Sequence, residues 1–104
     1  MRALLAARNW SGAIDQLKRI NDTGSAEWNN LMGYSHRKAG RYEIGFSYYK
    51  KALEIDPDYI RAREYLGEGY VMLKQVDLAT AELAEIEKRC GKECEEYKDL
   101  AGAI

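Results

Sequence analysis

Between Ala26 and Ala39 the apolar and small side chains fall at Trp28, Leu31, Met32, Ser35, His36 and Ala39. Steps of three and four residues gather these positions on one side of an α-helix. Gly40 follows, where a helix C-terminus favours a residue that tolerates left-handed backbone. A second helical stretch then carries Ile44, Gly45, Tyr48, Tyr49, Ala52 and Leu53 on one face. Asp56-Pro57 ends it, because the residue before a proline avoids the helical region. The same grammar recurs over residues 58–73 and 76–89. There Lys74-Gln75 replaces the helix-ending glycine, which makes that turn less favourable by roughly 1 kcal/mol. After Gly91 one more amphipathic stretch, over about 93–104, has Cys94, Tyr97, Leu100, Ala101 and Ile104 as its apolar stripe. The pattern predicts helices throughout and no strand.

The helices repeat. A shift of 34 residues places Met32-Gly33 on Leu66-Gly67, His36 on Tyr70, Gly45 on Ala79, Tyr49 on Leu83 and Ala52 on Ile86. A shift of 32 the other way places Trp10 on Tyr42, Ala13 on Gly45, Leu17 on Tyr49 and Ile20 on Ala52. The shortfall sits in Asn21–Ser25, a turn-forming run where length changes at little cost. Antiparallel helices approach most closely at one layer, so the small residues Gly33, Gly45, Gly67 and Ala79 are expected to form it.

The chain has 104 residues, enough for one compact domain. A single proline fits a mostly helical chain. The formal net charge of -1 gives no general attraction to nucleic acid or to anionic lipid. The sign is uneven, however: residues 1–52 hold nine Lys/Arg against four Asp/Glu, and residues 53–104 hold seven against thirteen. No run of about 18 apolar residues occurs, so membrane insertion is not expected. The opening MRALLAAR is basic then apolar, but Arg8 interrupts it too soon for the apolar region of an export signal.

The pattern Gly33-x2-His36, Gly45-x3-Tyr49, Ala52, Pro57, then Leu66-Gly67-x2-Tyr70 and Ala79-x3-Leu83, resembles the tetratricopeptide repeat. The usual Trp falls one residue early, at Trp28, with Asn29 in its place. His36 stands where Tyr is common, and Gly91 stands where the second copy would close with proline. The resemblance implies an all-α, antiparallel helix-hairpin solenoid wound as a right-handed superhelix. It implies a single domain: a partial repeat over 1–25, repeats over 26–59 and 60–92, and a cap helix over 93–104. The segments REYLGEGYVML and CGKECEEYKDL are also similar to small proteobacterial tetratricopeptide proteins that end in a paired-cysteine segment. That likeness favours a periplasmic or exported protein, with the cytoplasm as the alternative.

The family implies a scaffold that binds a peptide or helix of a partner protein. Its groove is lined by the first helix of each repeat: here Asn30, Tyr34, Arg37 and Lys38, then Arg61, Glu64, Glu68 and Val71. Such a mixed surface suits a segment carrying both charges. Glu64 and Glu68 argue against capture of a C-terminal carboxylate, the mode of co-chaperone repeats. The alternative is self-assembly through the open amino-terminal end, helped by the opposite charges of the two halves. A thiol–disulfide adaptor is a third possibility.

Little here suggests catalysis. The lone histidine, His36, reads as a half-buried residue packed on a neighbouring helix, and no Ser-His-Asp set or phosphate-binding glycine loop accompanies it. The chain reads as a non-enzyme without cofactor. Cys90 and Cys94 are the only cysteines. One pair and a distant histidine fall short of a zinc site, and three intervening residues do not make a thioredoxin-type motif. Two helix ends joined by this turn bring α-carbons within the ~4.4–6.8 Å that a disulfide tolerates. The pair is then a staple in an oxidising compartment, or two small, mostly buried thiols in a reducing one.

Overall fold

The computed structural model describes Leu4 and residues 7–104. Among the described residues six helices follow one another: α1 (Trp10–Ile20), α2 (Ala26–Lys38), α3 (Tyr42–Ile55), α4 (Ile60–Met72), α5 (Val76–Cys90) and α6 (Glu95–Ala103). The described residues contain no strand, and the architecture is an all-α helical repeat. Helices α2 and α3 form one antiparallel hairpin and α4 and α5 the next. The start of the partial repeat expected over 1–25 lies largely outside the described residues.

Local chemistry sets the ends. Asn9 caps α1 by accepting from the Gly12 N–H at 3.0 Å, and Ser25 caps α2 by accepting from the Trp28 N–H at 3.1 Å. Asp56 is extended, with φ -140°, as its place before Pro57 demands. The two hairpin turns match: Gly40 has φ 92° and Lys74 φ 62°. Lysine thus occupies the left-handed region that glycine takes at no steric cost.

The core holds two clusters. Ile14, Leu17, Trp28 and Met32 join α1 to α2. The Trp28 indole N–H also donates to the Leu17 carbonyl at 2.8 Å, so the displaced tryptophan locks the first pair of helices. Asn29, in the customary tryptophan position, is buried and donates to the Thr23 and Ser25 carbonyls at 3.0 and 2.8 Å. The second cluster, Phe46, Tyr49, Ala52, Ala62, Leu66, Tyr70 and Ala79, runs through α3, α4 and α5.

The close layer exists in the first hairpin. A β-carbon on Gly33 would stand 2.8 Å from the Tyr49 ring and 2.9 Å from the Gly45 carbonyl; one on Gly45 would stand 2.8 Å from the Gly33 carbonyl. Gly67 differs from expectation. A β-carbon there would meet the Leu100 side chain at 2.6 Å, so its smallness serves α6 rather than its own hairpin. The predicted α3 face also needs correction. Ile44 is exposed, and Phe46 is buried instead, its ring 5.1 Å from that of Tyr70 and against Gly69. α3 touches α4 as well as α2, which widens its buried stripe on the Phe46 side and leaves Ile44 outside.

Candidate functional site: the face of α2, α4 and α6

α4 packs between α2 and α6. Continuing the 34-residue shift explains why. It carries Leu66-Gly67 onto Leu100-Ala101 and Tyr70 onto Ile104. The helix predicted to be a cap therefore stands in register with the first helix of a repeat. Leu100 is fully buried against Gly67.

The residues predicted to line the groove divide by depth. Asn30, Arg37 and Glu64 are buried, Tyr34, Glu68 and Val71 are half-buried, and Lys38 and Arg61 are exposed. Arg37 is turned inward. Its Nε donates to the Tyr49 hydroxyl at 3.2 Å, and its Nη2 lies 3.7 Å from a Glu68 carboxylate oxygen. It is a strut between α2, α3 and α4, not a free cation. Burial raises the Tyr49 pKa, against the pull of Arg37. The Tyr34 ring is flanked by Trp10 at 5.8 Å and Tyr65 at 4.9 Å, with the Arg37 and Lys38 cations 5.7 and 5.6 Å from its centroid.

Next to these aromatics lies an acidic group. Glu64 is only 8% exposed. Burial, then Glu68, Asp99 and Glu96, push its carboxyl from 4.5 up to about 8. The start of α4 adds a shallow pocket lined by Asp58, Tyr59, Ile60, Arg61 and Glu96. Tyr59, Tyr65, Glu96 and Asp99 were not in the sequence-based groove. Tyr65 was findable, four residues after Arg61 on the same helical face. Glu96 and Asp99 required reading α6 as a repeat helix.

His36 is buried. It stacks on Tyr48 with centroids 5.5 Å apart, and its Nδ1 accepts from Arg41 Nε at 3.0 Å. Burial, then Arg41 and Lys18, lower its pKa and so favour the neutral ring. Cys90 and Cys94 are joined as a disulfide with α-carbons 5.9 Å apart, tying the end of α5 to the start of α6. Their sulfurs and a Glu96 carboxylate oxygen lie within 4.8 Å of one another. Sulfurs bonded to each other offer no thiolate, so this trio does not fit a metal site in the oxidised state. A patch that the sequence reading did not single out surrounds the α4–α5 turn, where Met72, Leu73, Val76 and Leu78 are all exposed. Among the described residues no helix is long and apolar enough to cross a membrane.

A hairpin repeat with this register and close layer is that of the tetratricopeptide proteins. The tetratricopeptide repeat family model matches residues 36–104, and the chain belongs to that family. No curated protein matches it. Tetratricopeptide repeats generally mediate protein–protein interaction.

Proposed function

We propose that the chain is a scaffold that holds a peptide or helix of a partner protein against the face made by α2, α4 and α6. The observation that carries this is the solvent-open row of half-buried aromatics, Tyr34 and Tyr65, bordered by exposed Lys38 and Arg61 and by Glu68, Glu96 and Asp99. Rigid half-exposed rings supply contact area at low entropy cost, and the flanking charges set orientation and on-rate. The repeat register, 26–59 and 60–92, supports the same division of the domain, with 93–104 contributing a third helix to the face rather than only a cover. Self-association is the alternative reading, supported by the exposed apolar side chains at the α4–α5 turn.

Selection from a displayed random peptide library, followed by affinity measurement, tests the choice. Lys38→Glu and Arg61→Glu should each weaken the selected peptide about fivefold or more, while Leu78→Ser leaves it unchanged. Loss of binding in Leu78→Ser, with both groove variants unaffected, would move the site to the turn. Sedimentation of the parent at rising concentration addresses self-association: a species that doubles in mass and reverts in Leu78→Ser would favour it.

A further inference from the structure

α6 is held to the rest of the molecule differently from the helices it stacks with. α2 has two polar ties: the Trp28 indole N–H donates to the Leu17 carbonyl of α1 at 2.8 Å, and Arg37 lies 3.7 Å from Glu68 of α4. α4 adds another, from Arg63 to Glu82 of α5 at 3.0 Å. Among the described residues no ion pair or side-chain hydrogen bond runs from α6 to α4 or α5; its one ion pair, Lys98 to Glu93 at 3.5 Å, stays within its own approach. Cys94 stands at the N-cap, and its side chain caps nothing. Leu100, over Gly67, is the one buried side chain of the helix. Nine residues are too few to hold a helix in water without tertiary support.

What remains is the covalent bond. Cys90 ends α5, Cys94 precedes α6, and their α-carbons are 5.9 Å apart. The bond restricts the direction in which α6 leaves α5, and with it the seat of α6 on α4. It also adjoins the candidate docking face. A Glu96 carboxylate oxygen lies within 4.8 Å of both sulfurs, and Glu96 lines the shallow pocket with Tyr59 and Arg61. Both cysteines are half-buried rather than sealed in the core, so a small thiol can reach them.

We propose that Cys90–Cys94 is a redox latch on the docking face. Oxidised, it keeps α6 seated as the third helix of that face; reduced, it lets α6 leave α4 and weakens the hold on the partner. The proposal rests on the reading that the α2–α4–α6 face is the docking face, and it adds the regulation of that face. The co-reactant is a dithiol reductant. One of its thiolates attacks one sulfur of the pair, the S–S bond breaks, the other cysteine leaves as a thiolate, and a mixed disulfide forms. The second thiol of the reductant then displaces the attacked cysteine. Two electrons and two protons pass to Cys90 and Cys94, and the reductant leaves as its own disulfide. Losing the constraint of so small a loop favours the open state about thirtyfold, and no polar tie from α6 to α4 or α5 opposes that change.

The probe is a peptide selected from the displayed library against the oxidised protein. Amide exchange and fluorescence anisotropy are measured on the oxidised protein, after reduction with dithiothreitol, and after reoxidation, with the state of the pair checked by alkylation and intact mass. Reduction should speed exchange across Glu95–Ala103 about thirtyfold while α2 and α3 keep their protection. It should weaken the peptide about threefold or more, since only the closed fraction binds fully. Reoxidation should restore both. Cys90→Ser/Cys94→Ser should match the reduced protein and ignore dithiothreitol, and its circular dichroism separates release of α6 from misfolding. Unchanged exchange in α6 on reduction would overturn the latch, as would exchange that quickens equally in every helix. Faster exchange in α6 with the peptide bound as before would also overturn it, leaving a docking face made by α2 and α4 alone. If the oxidised protein retains no peptide, the docking face fails and the latch with it.

Discussion

At the scale of single residues, Gly33, Gly45, Tyr49, Lys74 and Glu64 carry the sharpest consequences. Gly33 and Gly45 let α2 and α3 meet backbone to backbone, and Tyr49 closes the gap with a ring that a β-carbon on Gly33 would strike at 2.8 Å. The nearest obstacle besides the ring is the Gly45 carbonyl, which cannot rotate away. Gly33→Ala should therefore destabilise the domain by about 2–3 kcal/mol, and Gly33→Leu should prevent folding; urea midpoints check both. Lys74 is the opposite case. With φ 62° it is strained by its backbone alone, and Lys74→Gly should raise stability by about 1 kcal/mol, read by the same denaturation. Glu64 ties stability to pH. Its folded pKa is raised, so the folded state binds more protons than the unfolded chain between about pH 4.5 and 8. The sign follows: stability falls as pH rises through that window. Glu64→Gln should flatten the fall, with a difference on the order of 1–2 kcal/mol at pH 8.5, less than full conversion of the shift because Glu68 shares the charge and solvent reaches the cleft. Melting curves from pH 5 to 9 measure it.

Among the elements, α6 carries the most weight for its length. Its nine residues bury Leu100 over Gly67, present Glu96 and Asp99 to Glu64, and are tied to α5 through Cys90 and Cys94. A loop this small contributes about 2 kcal/mol through the unfolded chain. Cys90→Ser/Cys94→Ser should speed amide exchange across Glu95–Ala103 and leave α2 and α3 protected. Uniformly faster exchange would mean that the pair stabilises the whole molecule instead. The hairpins themselves were legible in the sequence because two signals agreed: the three-and-four spacing and the 34-residue shift. Turn chemistry at Gly40 and Asp56-Pro57 fixed the ends for the same reason. The failures share a different cause. Ile44 and Phe46 exchanged places because periodicity shows one stripe, while α3 is pressed by two neighbours. Gly67 was assigned to its own hairpin because sequence spacing does not reveal which of two adjacent helices needs the room.

Across the whole molecule, the uneven charge seen in the two halves of the chain becomes a difference between parts of one surface. Lys38 stands on α2 with Arg37 buried beneath, and the carboxylates gather where α4 meets α6. Arg63 and Arg89 do not offset those acids, since they are engaged elsewhere: Arg63 with Glu82 at 3.0 Å, and Arg89 with Asp58 at 2.9 Å and Glu85 at 2.8 Å. Those pairs join helices and turns across the back of the second hairpin. The candidate groove was only half legible for a related reason. Helix spacing gathers these residues on neighbouring helices, but their depth depends on how those helices tilt. Asn30, Arg37 and Glu64 proved to be its buried floor rather than its contact surface. The most direct test of the central claim is a backbone amide NMR map of the protein titrated with a library-selected peptide. Shifts concentrated at Tyr34, Lys38, Arg61, Tyr65, Glu68 and Asp99 are predicted, with Lys50 and Leu78 unmoved; shifts centred on Met72–Leu78, or on α1, α3 and α5, would contradict the account.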